Sequence, residues 1–171
     1  VGIFLLLKYI CKITHEINGR ENISLESVLV ASKHQSAFET FALFYYLPNA
    51  IFIHKKQLFW IPIFGQYLKK INMISIDRKK GTSAIRTMLK KTKKKVELGY
   101  SIIIFPEGTR KKPGEPPDYK SGFFGVYREI NKKILPVALN SGNFWPKDSF
   151  IKKPGHIIIH FLKTIPPKLD R

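Results

Sequence analysis

Short runs of branched apolar residues recur along the chain. SVLVASK (27–33), AIFIH (50–54), INMISID (71–77), SIIIFP (101–106), ILPVALN (134–140) and HIIIHFL (156–162) read as strands. Several are apolar throughout, as strands covered on both faces tend to be. Between them the period lengthens. Residues 37–47 read as a helix beginning near Ser36. TSAIRTMLKKTKKKVEL (82–98) is the clearest helix, with Ile85, Met88, Leu89, Thr92 and Val96 on one stripe. Its lysines, Lys90, Lys91, Lys93, Lys94 and Lys95, fall mostly on the other faces, and Gly99 ends it. Residues 121–132 fit a further helix. PGEPP (113–117) and WPKDS (145–149) are turn-rich. Strands alternating with helices predict an α/β fold, a mixed and mostly parallel sheet flanked by helices.

The opening VGIFLLLKYICKI is apolar but interrupted by Lys8 and Lys12. It falls short of the ~20 apolar residues of a membrane-spanning helix, and no basic start or small-residue cleavage site marks a secretory signal. Residues 1–18 are expected to be an apolar helix, either an interfacial one or a packing one, ahead of a single domain over 19–171. The chain begins with Val1, as a fragment or a processed product would.

Composition narrows the class. A chain of 171 residues, 44% of them hydrophobic, suits one well-cored domain and excludes disorder. Against 30 Lys+Arg stand 12 Asp+Glu, a formal charge of +18. Such an excess calls for an anionic partner: nucleic acid, an anionic membrane surface or a phosphorylated substrate. The single cysteine, Cys11, permits no internal disulfide and fits a reducing compartment.

Polar clusters follow three of the strands. After the first comes KHQSAFET (33–40), where His34 precedes Glu39 by five residues. With the chain turning into a helix near Ser36, Glu39 can fold back to the ring. A carboxylate on one ring nitrogen fixes the tautomer and leaves the other nitrogen as a base. The alternative is a packed histidine beside a solvated glutamate. After SIIIFP comes EGTR. Gly108 permits a tight turn, Thr109 adds a hydroxyl, and Arg110 offers a planar fork for phosphate. Glu107 would accept from a substrate hydroxyl or hold Arg110, and an ordinary turn with an internal Glu–Arg pair is the plainer reading. Arg78 and Lys55, after two other strands, are cations able to join Arg110. No Cys/His cluster suits zinc, and no GxxxxGK[ST], GxGxxG or GxSxG pattern occurs. His156 and His160, in a strand, stand about 13 Å apart along it, too far for a metal pair.

Taken in order, His34 to Glu39, Arg78, FPEGTR (105–110) and LPVALNSG (135–142) resemble the four sequence blocks of the 1-acyl-glycerol-3-phosphate acyltransferases, from GRENI (19–23) onward. Glutamate stands at 39 where that family usually has aspartate, one methylene longer. The resemblance implies a glycerol-3-phosphate acyltransferase-like fold and acyl transfer to the 2-hydroxyl of lysophosphatidate, giving phosphatidic acid. It implies an acyl donor on coenzyme A or acyl carrier protein. A thioester is already activated, so neither metal nor cofactor is called for. His34 would be the base and Glu39 its acid. Lys55, Arg78, Glu107, Gly108, Thr109 and Arg110 would bind substrate. The expected place is the cytoplasmic face of a membrane, in the simplest case a bacterial inner membrane. The alternatives are another acceptor (glycerol 3-phosphate, another lysophospholipid or an amino-acid lipid), an inactive membrane-binding relative, or a basic nucleic-acid module. No helix-turn-helix, zinc finger or RNP pattern accompanies the charge for the last of these.

Overall fold

A computed structural model describes residues 2–47, 49–71, 73–77, 79 and 81–168. Seven strands form one sheet: β1 (Ile13–Asn18), β2 (Leu29–Ser32), β3 (Ala50–Lys55), β4 (Ile74–Ile76), β5 (Ser101–Ile104), β6 (Ile134–Leu139) and β7 (Gly155–Phe161). Their order is β1-β7-β6-β2-β5-β3-β4. β6, β2, β5, β3 and β4 are mutually parallel. β7 joins β6 antiparallel and carries β1 parallel to itself. The fold is α/β with a mixed, mostly parallel sheet.

Five helices cover it: α1 (Gly2–Tyr9), α2 (Phe38–Tyr46), α3 (Phe64–Lys70), α4 (Gly81–Glu97) and α5 (Ser121–Ile130). From β2 to β3 to β4 the chain moves across the sheet one way. From β4 to β5 to β6 it moves back. Right-handed crossovers therefore put α2 and α3 on one face and α4 and α5 on the other. The contacts agree. The Phe44 ring of α2 meets Tyr67 of α3 at 6.5 Å, and Phe4 of α1 meets Phe38 and Tyr45 of α2. On the far face, Leu89 of α4 lies over Gly125 of α5. Leu29, Ile102, Ile103, Leu135, Ile157 and Ile159 are wholly buried in the middle layer, which is why those strands read as apolar throughout.

One part departs from expectation. Residues 1–18 are not one helix: α1 ends at Tyr9, Lys12 turns with φ 53°, and ITHEIN is strand β1, in register with β7 from Ile13 beside Gly155 to Asn18 beside His160. β1 is an edge strand, so its outer positions are polar. Only Ile13, His15 and Ile17 alternate inward, too faint a period to stand out. Lys56–Trp60 form a 3₁₀ turn, and α3 follows at once. Leu58, Phe59 and Phe64 pack on the core, while Trp60, Ile61 and Ile63 do not. Among the described residues no helix is long and apolar enough to cross a membrane.

Candidate active site

β2 and β5 are neighbours, yet the chain leaves β2 toward the α2 face and β5 toward the α5 face. Where adjacent parallel strands part in this way, a crevice opens at their carboxyl ends. Lys33–Glu39 and Phe105–Arg110 line it.

Beyond β2, the Ser36 hydroxyl accepts the Phe38 N–H at 3.1 Å and turns the chain into α2. That puts Glu39 in the first helical turn, with its carboxylate folded back. Oε1 accepts the amide N–H groups of Gln35 at 2.6 Å and Ser36 at 2.7 Å, and His34 Nδ1–H at 2.9 Å. Oε2 accepts the Ser141 hydroxyl at 2.8 Å. Glu39 is 0% exposed. A carboxylate so far from water needs donors, and four supply them; the amino end of α2 adds a favourable field. The glutamate side chain reaches backward to the amides and the ring together.

With Nδ1–H donated to Glu39, the lone pair of the His34 ring sits on Nε2. The ring also stacks on Phe105, with centroids 3.8 Å apart and planes at 12°. Two elements thus fix its orientation.

The FPEGTR turn is tied to the same point. Gly108 has φ 64°, and its N–H donates to Phe105 C=O at 2.8 Å. Lys111 N–H donates to His34 C=O at 2.8 Å. Glu107 is 1% exposed and pairs with Lys33 Nζ at 2.7 Å through Oε1. Its Oε2 has no partner among the described residues. The internal Glu107–Arg110 pair is therefore replaced by a Lys33–Glu107 pair. Arg110 is half-buried, with Nη1 in a long contact, 3.5 Å, to Lys147 C=O. Thr109 lies half-buried in the same turn, and Lys55 stands exposed at the carboxyl end of β3. Arg78 lies outside the described residues. The β6 block closes the crevice: Gly142 N–H donates to Gln35 Oε1 at 3.2 Å, and an added Cβ there would come within 2.8 Å of Gln35 Cβ.

Apolar cavities lie on both faces. One, of about 400 Å³, lies between α1, α2 and α3 and is lined by Phe4, Phe41, Phe44, Tyr67, Leu68 and Phe52. Phe52 contacts Phe105 at 5.8 Å between ring centroids, and Phe105 stacks on His34. A row of rings therefore leads from this cavity to the base. The other, of about 460 Å³, lies on the α5 face, with Lys33 and Glu107 at its polar end and Phe123, Pro136, Leu162 and Ile165 around it.

Sequence reasoning found His34, Glu39 and the FPEGTR turn, which the fold brings together. It missed Lys33, Phe105 as a stacking partner, and Ser141. A buried carboxylate must find donors, and LPVALNSG offered a hydroxyl, so Ser141 had a signal. Lys33 stood inside KHQSAFET with no role assigned to it.

Residues 14–140 match the family model described as acyltransferase. A 1-acyl-sn-glycerol-3-phosphate acyltransferase of Pseudomonas aeruginosa is 33% identical over 152 residues, 89% of this chain and 59% of that protein. One from Cocos nucifera is 30% identical over 151 residues, 87% of this chain and 49% of that protein. The chain thus spans about half to three-fifths of the length of these relatives. The crystal structure of the 1-acyl-sn-glycerophosphate acyltransferase of Thermotoga maritima superposes with a TM-score of 0.77 at 23% identity, over 98% of this chain and 66% of that one. At that identity the likeness speaks for the fold.

Proposed function

The chain belongs to the acyltransferase family, and on that premise we propose that it transfers an acyl group from a thioester of coenzyme A or acyl carrier protein to the 2-hydroxyl of 1-acyl-glycerol 3-phosphate, giving phosphatidic acid. The observation that carries this reading is the His34–Glu39 contact of 2.9 Å, with the acid buried and saturated by donors. The names of the relatives support the choice of acceptor.

In this reading His34 Nε2 takes the proton of the acceptor hydroxyl as its oxygen attacks the thioester carbon. Glu39 stabilises the imidazolium that forms. The tetrahedral intermediate collapses, the C–S bond breaks, and the imidazolium returns its proton to the leaving thiolate. Atoms and charge balance without an enzyme nucleophile. Arg110, Arg78 and Lys55 bind the phosphate and so position the hydroxyl. Gly108 lets the backbone approach the phosphate closely, Thr109 offers a hydroxyl donor, and Glu107 accepts from the glycerol. The cavity beside Phe52 suits an acyl chain. The chain works at a membrane surface, at the cytoplasmic face, where both anionic substrates meet its positive charge.

The test is product formation. Acyl-coenzyme A and acyl carrier protein thioesters are each offered with lysophosphatidate or glycerol 3-phosphate in detergent micelles. Phosphatidic acid from lysophosphatidate is expected. Product from glycerol 3-phosphate alone would replace the acceptor.

A further inference from the structure

Resting on the lipid acceptor of the proposed function, we propose that the turn Trp60–Ile63 inserts into an anionic bilayer and seats the chain on it. Trp60 is 80% exposed and Ile63 83%, with Ile61 at 45%. Their neighbours Phe59 and Phe64 pack against the core. The turn therefore spends two aromatics on holding its place and presents three large apolar side chains to the outside.

The shape is imposed. Ile63 sits at φ 63°, ψ −56°, a region a β-branched residue rarely adopts, so the surrounding structure must enforce it. Enforcement comes from below and from the chain itself. Gly65 lies so close to Phe59 that an added Cβ would fall 2.2 Å from Phe59 C=O, and Pro62 fixes its own φ. A strained backbone that exposes apolar side chains contributes nothing to folding, which points to a use outside the core.

The charge around the turn identifies the occupant. Lys55 precedes it, Lys69 and Lys70 follow, and no acidic residue occurs from His54 to Ile71; Lys56 is paired with Asp77 at 3.6 Å. Lys69 Nζ lies 5.5 Å from the centroid of the Phe59 ring, which ties its charge to the turn. Tryptophan at the tip with lysines at the flanks is the arrangement that a bilayer interface selects. Each lysine near an anionic leaflet adds to the attraction. Phe64, which follows the turn at the start of α3, lines the cavity whose rim includes Phe44 and Tyr67. A bilayer held there lies against the cavity that would take an acyl chain.

The protein carries two tryptophans, so Trp145→Phe makes Trp60 the sole reporter. Phosphatidylcholine vesicles with phosphatidylglycerol should shift its emission to the blue, and lipids brominated on their acyl chains should quench it. Phosphatidylcholine alone, or high salt, should weaken both effects. Ile63→Gly relieves the positive φ and so keeps the fold; it should lower vesicle affinity by about tenfold. Emission that stays at its aqueous position with anionic vesicles overturns the proposal. So does a shift produced by raising protein concentration without lipid, which assigns the turn to a second copy. A shift with acidic acyl carrier protein but not with vesicles assigns it to that carrier and also overturns it. Phosphatidic acid made in micelles by a chain whose Trp60 never meets lipid would leave the activity standing and remove only the insertion. Quenching without any acyl transfer would do the reverse.

Discussion

Ser141 donates its hydroxyl to Oε2 of Glu39 at 2.8 Å, joining the end of the β6 block to the first turn of α2 across 102 residues. The contact is buried at both ends. It fills the second oxygen of a carboxylate whose first oxygen already serves His34 and two amides.

Ser141→Ala leaves that oxygen buried without its donor. Urea unfolding should show a loss of about 1–3 kcal/mol. Turnover should fall about tenfold, with the KM for lysophosphatidate little changed, because the hydroxyl acts through Glu39 rather than on substrate. A raised KM at full turnover would place Ser141 against the acceptor instead.

Glu39→Asp is chemically conservative but geometrically costly here. Shortening by one methylene draws the carboxylate away from the amides of Gln35 and Ser36 and from His34 Nδ1. We expect turnover to drop about 10- to 100-fold, a partial loss of the roughly 10²–10⁴-fold that a positioned base contributes. Full activity would mean that the loop 33–37 moves to follow the shorter acid.

Lys33→Met strips the partner from Glu107, which is 1% exposed. Breaking a buried ion pair from one side costs about 3–5 kcal/mol, and a lysine that still reaches water puts this case at the lower end. Adding Glu107→Gln should recover most of the lost stability, since the stranded charge is gone. Denaturation midpoints of the two single variants and the double one measure the coupling. Additive losses would mean that the pair is incidental.

Burial pushes the His54 imidazole below its ordinary value, against the opposing pull of the Nδ1–H bond to Lys55 C=O. The neutral form is therefore favoured in the folded chain, and the unfolded chain takes up the proton first. The contribution is fully present above about pH 6.5 and is lost as pH falls through the lower folded value. Relative to a non-titrating His54→Asn chain, wild type should lose melting temperature between pH 7.5 and 5.5. A difference that stays constant across that window would contradict the assignment.

What the sequence made legible was local or repetitive. Six strands stood out because their buried positions are mostly branched apolar residues. The His34–Glu39 pair stood out because one helical turn brings the two together. β1 did not, since ITHEIN becomes a strand only when β7 offers an edge from more than a hundred residues away. Ser141 and Lys33 escaped for the same reason: each is defined by a partner brought close by the sheet order, and no spacing along the chain records that. Glu107 was read toward Arg110, three residues on. The tight turn at Gly108 sends the two side chains to different partners, and Lys33 arrives from the neighbouring strand.

The central claim is that His34 takes the proton. Its most direct test is single-turnover transfer of a radiolabelled acyl group from acyl-coenzyme A to lysophosphatidate in micelles, wild type beside His34→Ala, with folding matched by circular dichroism. A loss of roughly 10²–10⁴-fold in the transfer rate, with lysophosphatidate binding retained, is the predicted result. Transfer by His34→Ala at the wild-type rate would contradict it.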